Sequence, residues 1–459
     1  MTDTSHSSPR KKLRQPIDPS QFTPFFSYKP ANGGRTLFVE GVSLEAIAAK
    51  TGTPAYVYSR ASIESAYRTL DRALSRVPHT LCYAMKANSN LSVLRVLAKM
   101  GSSFDIVSGG ELDRLARIGV PGERIVFSGV GKTREEMRAA LRYPGASGPK
   151  KARTSGILLF NVESEAELEL LIEESAKHVA AGGARPHLAI RVNPDVIAGG
   201  HPHISTGEHH HKFGIDWEPA RRLYLAHKGS PYISWRGISA HIGSQILSVA
   251  PYHRAVTRLA SYVRDLARNG VHLDHLDVGG GLGIRYTSES PLVPAEYART
   301  LIEVVRPLKC RLMIEPGRSI VGSAGVLLTR VLYLKENRAK TFIIVDAAMN
   351  DLIRPVLYDA THPITPATQA KSLPDRTKAK RVDIVGPVCE SGDFLARDWP
   401  MQPVKAGDLL VVWAAGAYSF AQSSNYNARR RPVEILVEGK KVHLARKRQS
   451  YDDLVRGEL

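Results

Sequence analysis

Two hydrophobic patterns alternate between about residues 60 and 315. Segments with helical periodicity and short apolar runs follow each other strictly, and there are eight of each. This alternation is typical of a parallel sheet with helical crossovers, and eight repeats favour closure into an α/β fold of the (β/α)8, TIM-like barrel type. The predicted helices lie near residues 61–76, 90–100, 109–118, 132–142, 163–178, 217–228, 251–269 and 294–308. The predicted strands lie at residues 80–85, 104–107, 124–127, 157–161, 188–192, 237–242, 273–278 and 311–314.

Residues that begin and end helices support this assignment. Ser108 and Glu111 have the spacing of a capping box, and Gly119 stands where that helix is expected to end. Ser164 and Glu167 have the same spacing at the start of the helix predicted at 163–178. The local signals therefore agree with the hydrophobic periodicity.

The pattern changes after residue 315. Short apolar runs separated by Gly, Pro and Asn predict a β-sandwich or β-barrel domain. The two early runs at 36–39 and 54–58 are too short to fold alone, so we expect them to join this domain. The predicted β runs of the C-terminal third are 325–334, 341–345, 381–385, 409–415 and 433–438. The predicted organisation is a disordered basic tail (1–22), N-terminal β strands (23–59), the barrel (60–315) and a C-terminal β domain (316–459), with a surface insertion at 143–155.

Composition restricts the class of protein. The chain has 459 residues, of which 43% are apolar, as in ordinary globular proteins. No run approaches the roughly 18 apolar residues of a membrane helix, and the basic N-terminal segment lacks the apolar block of a secretory signal. Three cysteines at 82, 310 and 389 form no disulfide framework. We therefore expect a cytoplasmic protein without a membrane partner.

The net charge of +19 raises the question of nucleic-acid binding. The basic residues fall in separate clusters with no nucleic-acid motif beside them, so a solvated surface that favours phosphate or carboxylate ligands is the better interpretation. Five histidines lie close together, but they lack companion carboxylates at ligand spacing, and no metal site is predicted. These histidines are residues 201, 203, 209, 210 and 211.

Reactive side chains of such a barrel gather at the C-terminal ends of its strands. Lys86 follows the first predicted strand, and a partly desolvated lysine loses proton affinity and becomes a nucleophile toward carbonyl groups. A solvated lysine at a strand end is the plain alternative. Asp105, inside the second strand, either lies near Lys86 or caps local backbone groups.

Three later strand ends also carry polar groups. His241 and Ser244 follow the sixth strand, although a single histidine there is also common as a hydrogen-bonded core residue. Gly279, Gly280 and Gly281 follow the seventh, where glycines let backbone N–H groups approach an anion, or simply form a tight loop. The eighth ends in residues 315–318, Glu-Pro-Gly-Arg, which place a carboxylate and a guanidinium at the same rim or close the barrel with an ion pair.

Together with further motifs, these residues resemble the fold type III pyridoxal-phosphate decarboxylases. This family contains the ornithine, arginine and diaminopimelate decarboxylases, with alanine racemase a more distant relative. The resemblance covers residues 25–455 and is strongest to the members that act on diaminopimelate. The supporting motifs are residues 191–195 (RVNPD), 201–207 (HPHISTG), 212–214 (KFG), 350–355 (NDLIRP) with Tyr358, 389–393 (CESGD) and 416–418 (GAY).

The resemblance implies a site that binds pyridoxal 5'-phosphate. Lys86 would hold the cofactor covalently, with Asp105 nearby; Glu315 would hydrogen-bond the ring nitrogen; and His241 would stack on the ring. The groups expected around the phosphate are Ser244, Gly279, Gly280, Gly281, Glu315, Pro316, Gly317, Arg318 and Tyr418.

The resemblance also implies a decarboxylase of a small amino acid, with meso-2,6-diaminopimelate as substrate and L-lysine as product. Cys389 would return a proton to the substrate from a neighbouring subunit, so each site would need a homodimer. The remaining substrate contacts would come from Arg318, Arg354, Tyr358, Glu390 and Tyr418. The alternatives are the same chemistry on another basic amino acid, a non-catalytic relative that binds the cofactor, and a lysine aldolase without cofactor.

Overall fold

The computed structural model describes residues 23–31, 34–145, 156–197, 212–370 and 379–459. The predictions for the basic tail, most of the 143–155 insertion, the 201–207 motif and the five histidines fall outside the described residues. The described helices include none that is long and apolar enough to cross a membrane. The N-terminal elements are β1 (Phe26–Ala31), β2 (Gly34–Val39), β3 (Val42–Ser43), α1 (Leu44–Thr51) and β4 (Ala55–Ser59).

Eight parallel strands then form a closed barrel, as predicted. The ring closes where β12 pairs with β5, with Met313 opposite Thr80. The barrel strands are β5 (His79–Ala84), β6 (Ser103–Ile106), β7 (Ile125–Phe127), β8 (Leu159–Val162), β9 (His187–Arg191), β10 (Ser234–Ser239), β11 (His275–Asp277) and β12 (Arg311–Ile314). The helices around them are α2 (Arg60–Leu74), α3 (Leu91–Lys99), α4 (Gly109–Arg117), α5 (Arg134–Leu141), α6 (Glu165–Ala180), α7 (Trp217–Ala226), α8 (Val249–Arg268) and α9 (Pro294–Val305).

The interior of the barrel holds few apolar side chains. Because side chains alternate along a strand, Leu81 and Tyr83 pack with the helix layer while Cys82 between them belongs to a separate buried cluster. That cluster contains Cys82, Val126, Leu159, Ala189 and Met313. The strand ends that follow carry buried polar groups instead, and these form the candidate site.

Both predicted helix starts are confirmed, with one difference. The Ser108 and Ser164 hydroxyls accept hydrogen bonds from the backbone N–H groups three residues later. The Glu111 and Glu167 carboxylates, however, accept from Val107 N at 2.7 Å and from Glu163 N at 3.1 Å, rather than from the cap residues themselves. The reciprocal bond reaches one residue further back, which ties the helix start to the end of the preceding strand.

The C-terminal third forms a nine-stranded mixed sheet with the N-terminal β4 inside it, between β13 and β20. The other early strand, β2, pairs with β16 in a separate small sheet. The early strands therefore join the C-terminal elements as predicted, whereas the division into domains at residues 59/60 and 315/316 stays a prediction. The elements are α10 (Arg318–Val321), β13 (Gly325–Glu336), β14 (Thr341–Val345), α11 (Arg354–Tyr358), β15 (Ile364–Pro366), β16 (Thr368–Ala370), β17 (Lys380–Val385), β18 (Phe394–Met401), β19 (Leu409–Val412), β20 (Val433–Glu438), β21 (Lys441–Arg446) and α12 (Tyr451–Val455).

Candidate active site

A cavity of about 630 Å³ opens at the C-terminal ends of the barrel strands. It brings together most of the predicted site residues, from both the barrel and the C-terminal third. The predicted residues that line it are Lys86, His241, Ser244, Gly281, Glu315, Gly317, Arg318, Arg354, Tyr358 and Tyr418. A smaller cavity of about 180 Å³ shares Lys86, His241 and Glu315 with it, so these three side chains are accessible from two sides.

Lys86 lies in a short 3₁₀ turn, Met85–Ala87, directly after β5. Its Nζ lies 2.9 Å from Asp105 Oδ2, because β5 and β6 pair with Ala84 opposite Asp105. The prediction that Lys86 has a lowered pKa is wrong. Burial does act in that direction, but Asp105 and Glu315 outweigh it, and the pKa of Lys86 is raised above its ordinary value. The lysine is therefore held as an ammonium ion in the protein without ligand.

Asp105 and Glu315 act on this lysine and Asp277 acts on both of them, and we call these three carboxyl groups the acidic cluster. All three are buried at the ends of β6, β11 and β12. Burial, followed by repulsion from Asp105 and Asp277, raises the pKa of Glu315 well above its usual range, and burial likewise raises the pKa of Asp277. Asp105 Oδ1 and Asp277 Oδ2 make no hydrogen bond within the described residues. Such a cluster favours a cationic group beside it.

The glycine turn packs against His241. A Cβ on Gly279 would lie 2.6 Å from His241 Nδ1, and one on Gly280 would lie 2.3 Å from the Glu315 carbonyl oxygen. Gly279 N donates to Asp277 Oδ1 at 2.9 Å and Gly280 N donates to His241 Nδ1 at 3.1 Å. Two of the three N–H groups predicted to face an anion therefore donate to acceptors within the protein. Of the three, the N–H of Gly281 alone has no protein acceptor among the described residues.

His241 is held as a neutral ring at this position. It accepts the Gly280 N–H at Nδ1, and burial lowers the pKa of His241 well below its ordinary value, with Arg191 and Lys86 adding to the effect. A neutral ring with its donor–acceptor pattern fixed by the backbone is suited to contact a flat aromatic ligand.

Two buried guanidinium groups form a second charged region, which we call the arginine pair: Arg318 and Arg354. Their residues are only 6% and 5% exposed. Arg318 donates to the Ser244 hydroxyl at 2.9 Å and to the Tyr286 hydroxyl at 2.5 Å. Among the described residues, neither of these arginines forms a salt bridge with a carboxylate. Two buried cations without a carboxylate partner favour anionic ligands.

The remaining lining residues complete the rim of the cavity. The Tyr418 ring lies 4.9 Å from the Arg318 guanidinium carbon, and its backbone N–H donates to the Ala87 carbonyl. Tyr358 accepts a hydrogen bond from Gln422 at 3.0 Å. The Pro316 carbonyl accepts from Ala84 N at 3.1 Å, which fixes the end of β12 against the end of β5.

Cys389 and Glu390 do not reach the cavity of their own chain. Both are exposed, and neither lines the cavity. Buried Asp393 holds their loop, because its two carboxylate oxygens accept from Met349 N and Val388 N, each at 2.7 Å. The loop is thus ordered and presents both side chains outward.

The donor groups of the cavity fit pyridoxal phosphate. A lysine amine can attach to its aldehyde, the acidic cluster suits a protonated ring nitrogen, and Arg318, Ser244 and the free N–H of Gly281 suit a phosphate. Arg318 Nε is a buried donor without an acceptor in the described part of the chain. The described residues contain no group of three His, Cys, Asp or Glu side chains that could hold a metal ion.

A barrel with a lysine at its rim, an acidic cluster and a β-rich C-terminal third is the architecture of the fold type III pyridoxal-phosphate enzymes. The family model for the pyridoxal-binding domain of pyridoxal-dependent decarboxylases matches residues 60–322. The chain belongs to the pyridoxal-dependent decarboxylase family and is a pyridoxal-phosphate enzyme of that class.

Similar proteins within this family are diaminopimelate decarboxylases. The diaminopimelate decarboxylase of Pseudomonas fluorescens is 47% identical over 94% of this chain and 98% of its own length. The crystal structure of the Helicobacter pylori diaminopimelate decarboxylase complexed with L-lysine is 37% identical, covers 90% of this chain and 98% of its own, and has a TM-score of 0.82. The M. jannaschii diaminopimelate decarboxylase in co-complex with L-lysine is 33% identical, covers 94% and 98%, and has a TM-score of 0.84.

Sequence reasoning missed several residues of the site. Asp277 could have been found, since it stands two residues before the glycine turn at a strand end. Tyr286 and His362, which contact the arginine pair, lie in connecting segments with no periodicity or motif around them. Their positions depend on contacts between distant segments.

Proposed function

We propose that this enzyme decarboxylates meso-2,6-diaminopimelate to L-lysine and CO2. The observation that carries the substrate assignment is the arginine pair in the same cavity as Lys86. A substrate that keeps a carboxylate at its far end supplies the anion that this region lacks. An ornithine-type substrate has no such carboxylate and would leave Arg354 buried and unpaired, which costs several kcal/mol.

The cofactor would be held by residues from five barrel strand ends and the C-terminal third. Lys86 would attach covalently, with Asp105 controlling its proton; Glu315 would face the ring nitrogen; and His241 would lie against the ring. The phosphate would be bound by groups from Ser244, Gly279, Gly280, Gly281, Pro316, Gly317, Arg318 and Tyr418. When bound, pyridoxal phosphate supplies a sink for the electron pair left on the α-carbon as CO2 departs.

The protein would orient the substrate by charge. Arg354, Tyr358 and Arg318 would receive the distal carboxylate, since a guanidinium can hold a carboxylate by two parallel hydrogen bonds. Glu390 would receive the distal ammonium group, and Tyr418 would contact both substrate and cofactor. The carboxylate that is lost then lies at the Lys86 side of the cavity.

The reaction needs a proton returned to the α-carbon, and we assign this role to the Cys389 thiol. Because Cys389 and Glu390 point away from the cavity of their own chain, they would act in the site of a second copy. The enzyme would therefore be a homodimer with shared active sites. All three cysteines are free thiols, which fits a reducing cytoplasm.

The test is L-lysine release from the meso substrate by the wild type, Lys86→Ala and Cys389→Ala. We expect Lys86→Ala to lose turnover and the visible absorbance of the attached cofactor. Cys389→Ala should keep that absorbance and turn over at least about a hundredfold more slowly, the usual contribution of a positioned acid. Cys310→Ala is the matched control, because Cys310 is buried away from the cavity.

Mixing the two inactive variants tests the shared site. Each dimer that contains one chain of each kind has one site with both Lys86 and Cys389 intact, so mixing should restore part of the activity. Full activity of Lys86→Ala would refute the assignment of that lysine. Turnover of ornithine, but not of diaminopimelate, by the wild type would refute the substrate.

A further inference from the structure

The two guanidinium groups of the arginine pair share one aromatic neighbour. The Arg354 guanidinium carbon lies 4.9 Å from the ring centre of Tyr286, and that of Arg318 lies 5.8 Å from it. Tyr286 is buried, and its hydroxyl accepts from Arg318. Burial favours the neutral phenol, yet the two guanidiniums lower the pKa of Tyr286 below its ordinary value. The ring therefore lies beside two like charges and partly compensates both.

Behind Arg354 lies His362, which is fully buried and does not line the cavity. Its Nδ1 is 2.8 Å from the Trp413 carbonyl oxygen, and its Nε2 is 2.7 Å from Arg354 Nη1. A carbonyl oxygen only accepts and a guanidinium only donates. The imidazole is therefore neutral, with its hydrogen on Nδ1 and its lone pair on Nε2 directed at Arg354.

The His362 imidazole stays neutral when the pH is varied over the ordinary range. Burial, with the charge of Arg354 added, lowers the pKa of His362 to about 3. A carboxylate at this position would pair with Arg354 and satisfy its charge within the protein. An imidazole fixes the direction of the guanidinium but leaves its positive charge uncompensated.

We propose that His362 and Tyr286 are positioning residues that direct Arg354 toward the distal carboxylate of the substrate and thereby set the preference for a carboxylate-bearing substrate. This inference rests on the proposed function, since it assumes that the distal carboxylate binds Arg354. Tyr286 contacts both guanidiniums, and His362 fixes the direction of Arg354. Its edge-to-face contact with Tyr286, at 5.3 Å between ring centres, joins the two supports into one unit.

Two amide variants separate the two nitrogens of His362. The Gln side chain places an acceptor near the position of Nε2, whereas the Asn side chain reaches only the position of Nδ1. His362→Gln should therefore keep the contact with Arg354, and His362→Asn should keep only the contact with the Trp413 carbonyl. Both replace the ring by a neutral amide, so they form a matched pair.

The probes are L-lysine and 1,5-diaminopentane, which is L-lysine without its carboxylate. Each is titrated calorimetrically against the cofactor-loaded enzyme, and each is also measured as a competitive inhibitor. We expect His362→Asn to weaken L-lysine binding at least about tenfold, because a hydrogen bond to a charged group is lost, with diamine binding unchanged. For the substrate, KM should rise by a similar factor with little change in kcat. His362→Gln should restore most of the L-lysine affinity.

Tyr286→Leu is the second variant, since it removes the ring that both guanidiniums contact while the two hydrogen-bond partners of His362 remain. It should also lower the affinity for L-lysine relative to the diamine. Retained visible absorbance of the attached cofactor shows that each variant is folded.

The inference is wrong if His362→Asn and Tyr286→Leu keep the wild-type ratio of L-lysine to diamine affinity, or if both ligands weaken equally. A wild type that does not convert diaminopimelate would refute the proposed function instead. The two failures are therefore distinct.

Discussion

The acidic cluster and the arginine pair belong to one candidate site but are built in opposite ways. The acidic cluster stands on the ends of three barrel strands and contains its own counter-ion, because Lys86 pairs with Asp105 at 2.9 Å. The arginine pair stands on the short helices α10 and α11 and contacts only neutral groups in the described structure. The protein itself supplies a counter-ion for the acidic cluster, whereas the positive charge of the arginine pair is left for a ligand to neutralise.

This difference would account for both the affinity of the site for its ligands and the orientation in which the substrate binds. Under the proposed function, Lys86 would be engaged with the cofactor, and a protonated ring nitrogen would then supply the cation that the acidic cluster favours. The arginine pair favours anions, which a phosphate and a distal carboxylate would provide. Under the same proposal, a zwitterionic substrate of the right length would bind in one direction only.

The largest expected effect comes from breaking the arginine pair. Arg354→Leu should lower kcat/KM for diaminopimelate by at least about a hundredfold, since loss of a buried charge-assisted contact costs on the order of 3 kcal/mol. Steady-state kinetics on the purified enzyme measure this, and the loss should appear mainly in KM. Arg117→Leu, an exposed arginine on α4, is the matched control. An unchanged KM in Arg354→Leu would remove Arg354 from the substrate site.

A smaller effect is expected from Asp105→Asn, which removes the internal counter-ion. The pKa of Lys86 is raised because Asp105 and Glu315 outweigh the effect of burial, so the variant should have a lower lysine pKa. Only the neutral amine attacks the cofactor aldehyde. The apoprotein should therefore attach pyridoxal phosphate faster at pH 7, by on the order of tenfold for each pKa unit lost. Stopped-flow absorbance after mixing measures the rate.

The pH dependence gives the control for this experiment. The wild-type rate should rise with pH over the whole accessible range, since the raised pKa of Lys86 keeps the amine protonated. The Asp105→Asn rate should level off at a lower pH. Slower attachment by the variant at every pH would mean that Asp105 aids attachment more than it holds the proton.

The barrel was predictable because its signal is local. Alternating periodicity identified all eight strands and helices of the barrel. Lys86, His241 and Glu315 stand at strand ends, which made them candidates, and the family motifs were needed to assign them a function. The protonation state of Lys86 was not predictable. It depends on the register that places Ala84 opposite Asp105, and the sequence left the position of Asp105 open.

The support of the arginine pair was hidden for a different reason. Tyr286 follows the glycine turn, and His362 precedes β15, so 75 residues separate them while their rings pack together. Neither segment has periodicity, and a lone histidine between Thr361 and Pro363 has no distinctive neighbours. The glycine turn was interpreted too simply, since its N–H groups also serve Asp277 and His241.

The smallest expected effect is that of replacing Asp277, which tests the repulsion within the acidic cluster. Burial and repulsion raise the pKa of Asp277, so the folded apoprotein binds more protons than the unfolded chain above the ordinary carboxyl pKa. Stability contributed by the protonated form is therefore lost as pH rises through the raised value. Asn cannot ionise and can still accept the Gly279 N–H. Asp277→Asn should stabilise the apoprotein at pH 8 by about 1–2 kcal/mol, and by less at pH 5.

The same substitution should act in the opposite direction on cofactor binding, because it removes a negative charge that favours a protonated ring. Denaturant unfolding of the apoprotein at the two pH values gives the first effect, and equilibrium titration with pyridoxal phosphate gives the second. Asp113→Asn, on the exposed face of α4, should change neither. A gain in both stability and cofactor affinity would mean that the cluster is not held for the ligand. A loss in both would mean that Asp277 is a structural residue, and the contrast with the arginine pair would then rest on Asp105 and Glu315 alone.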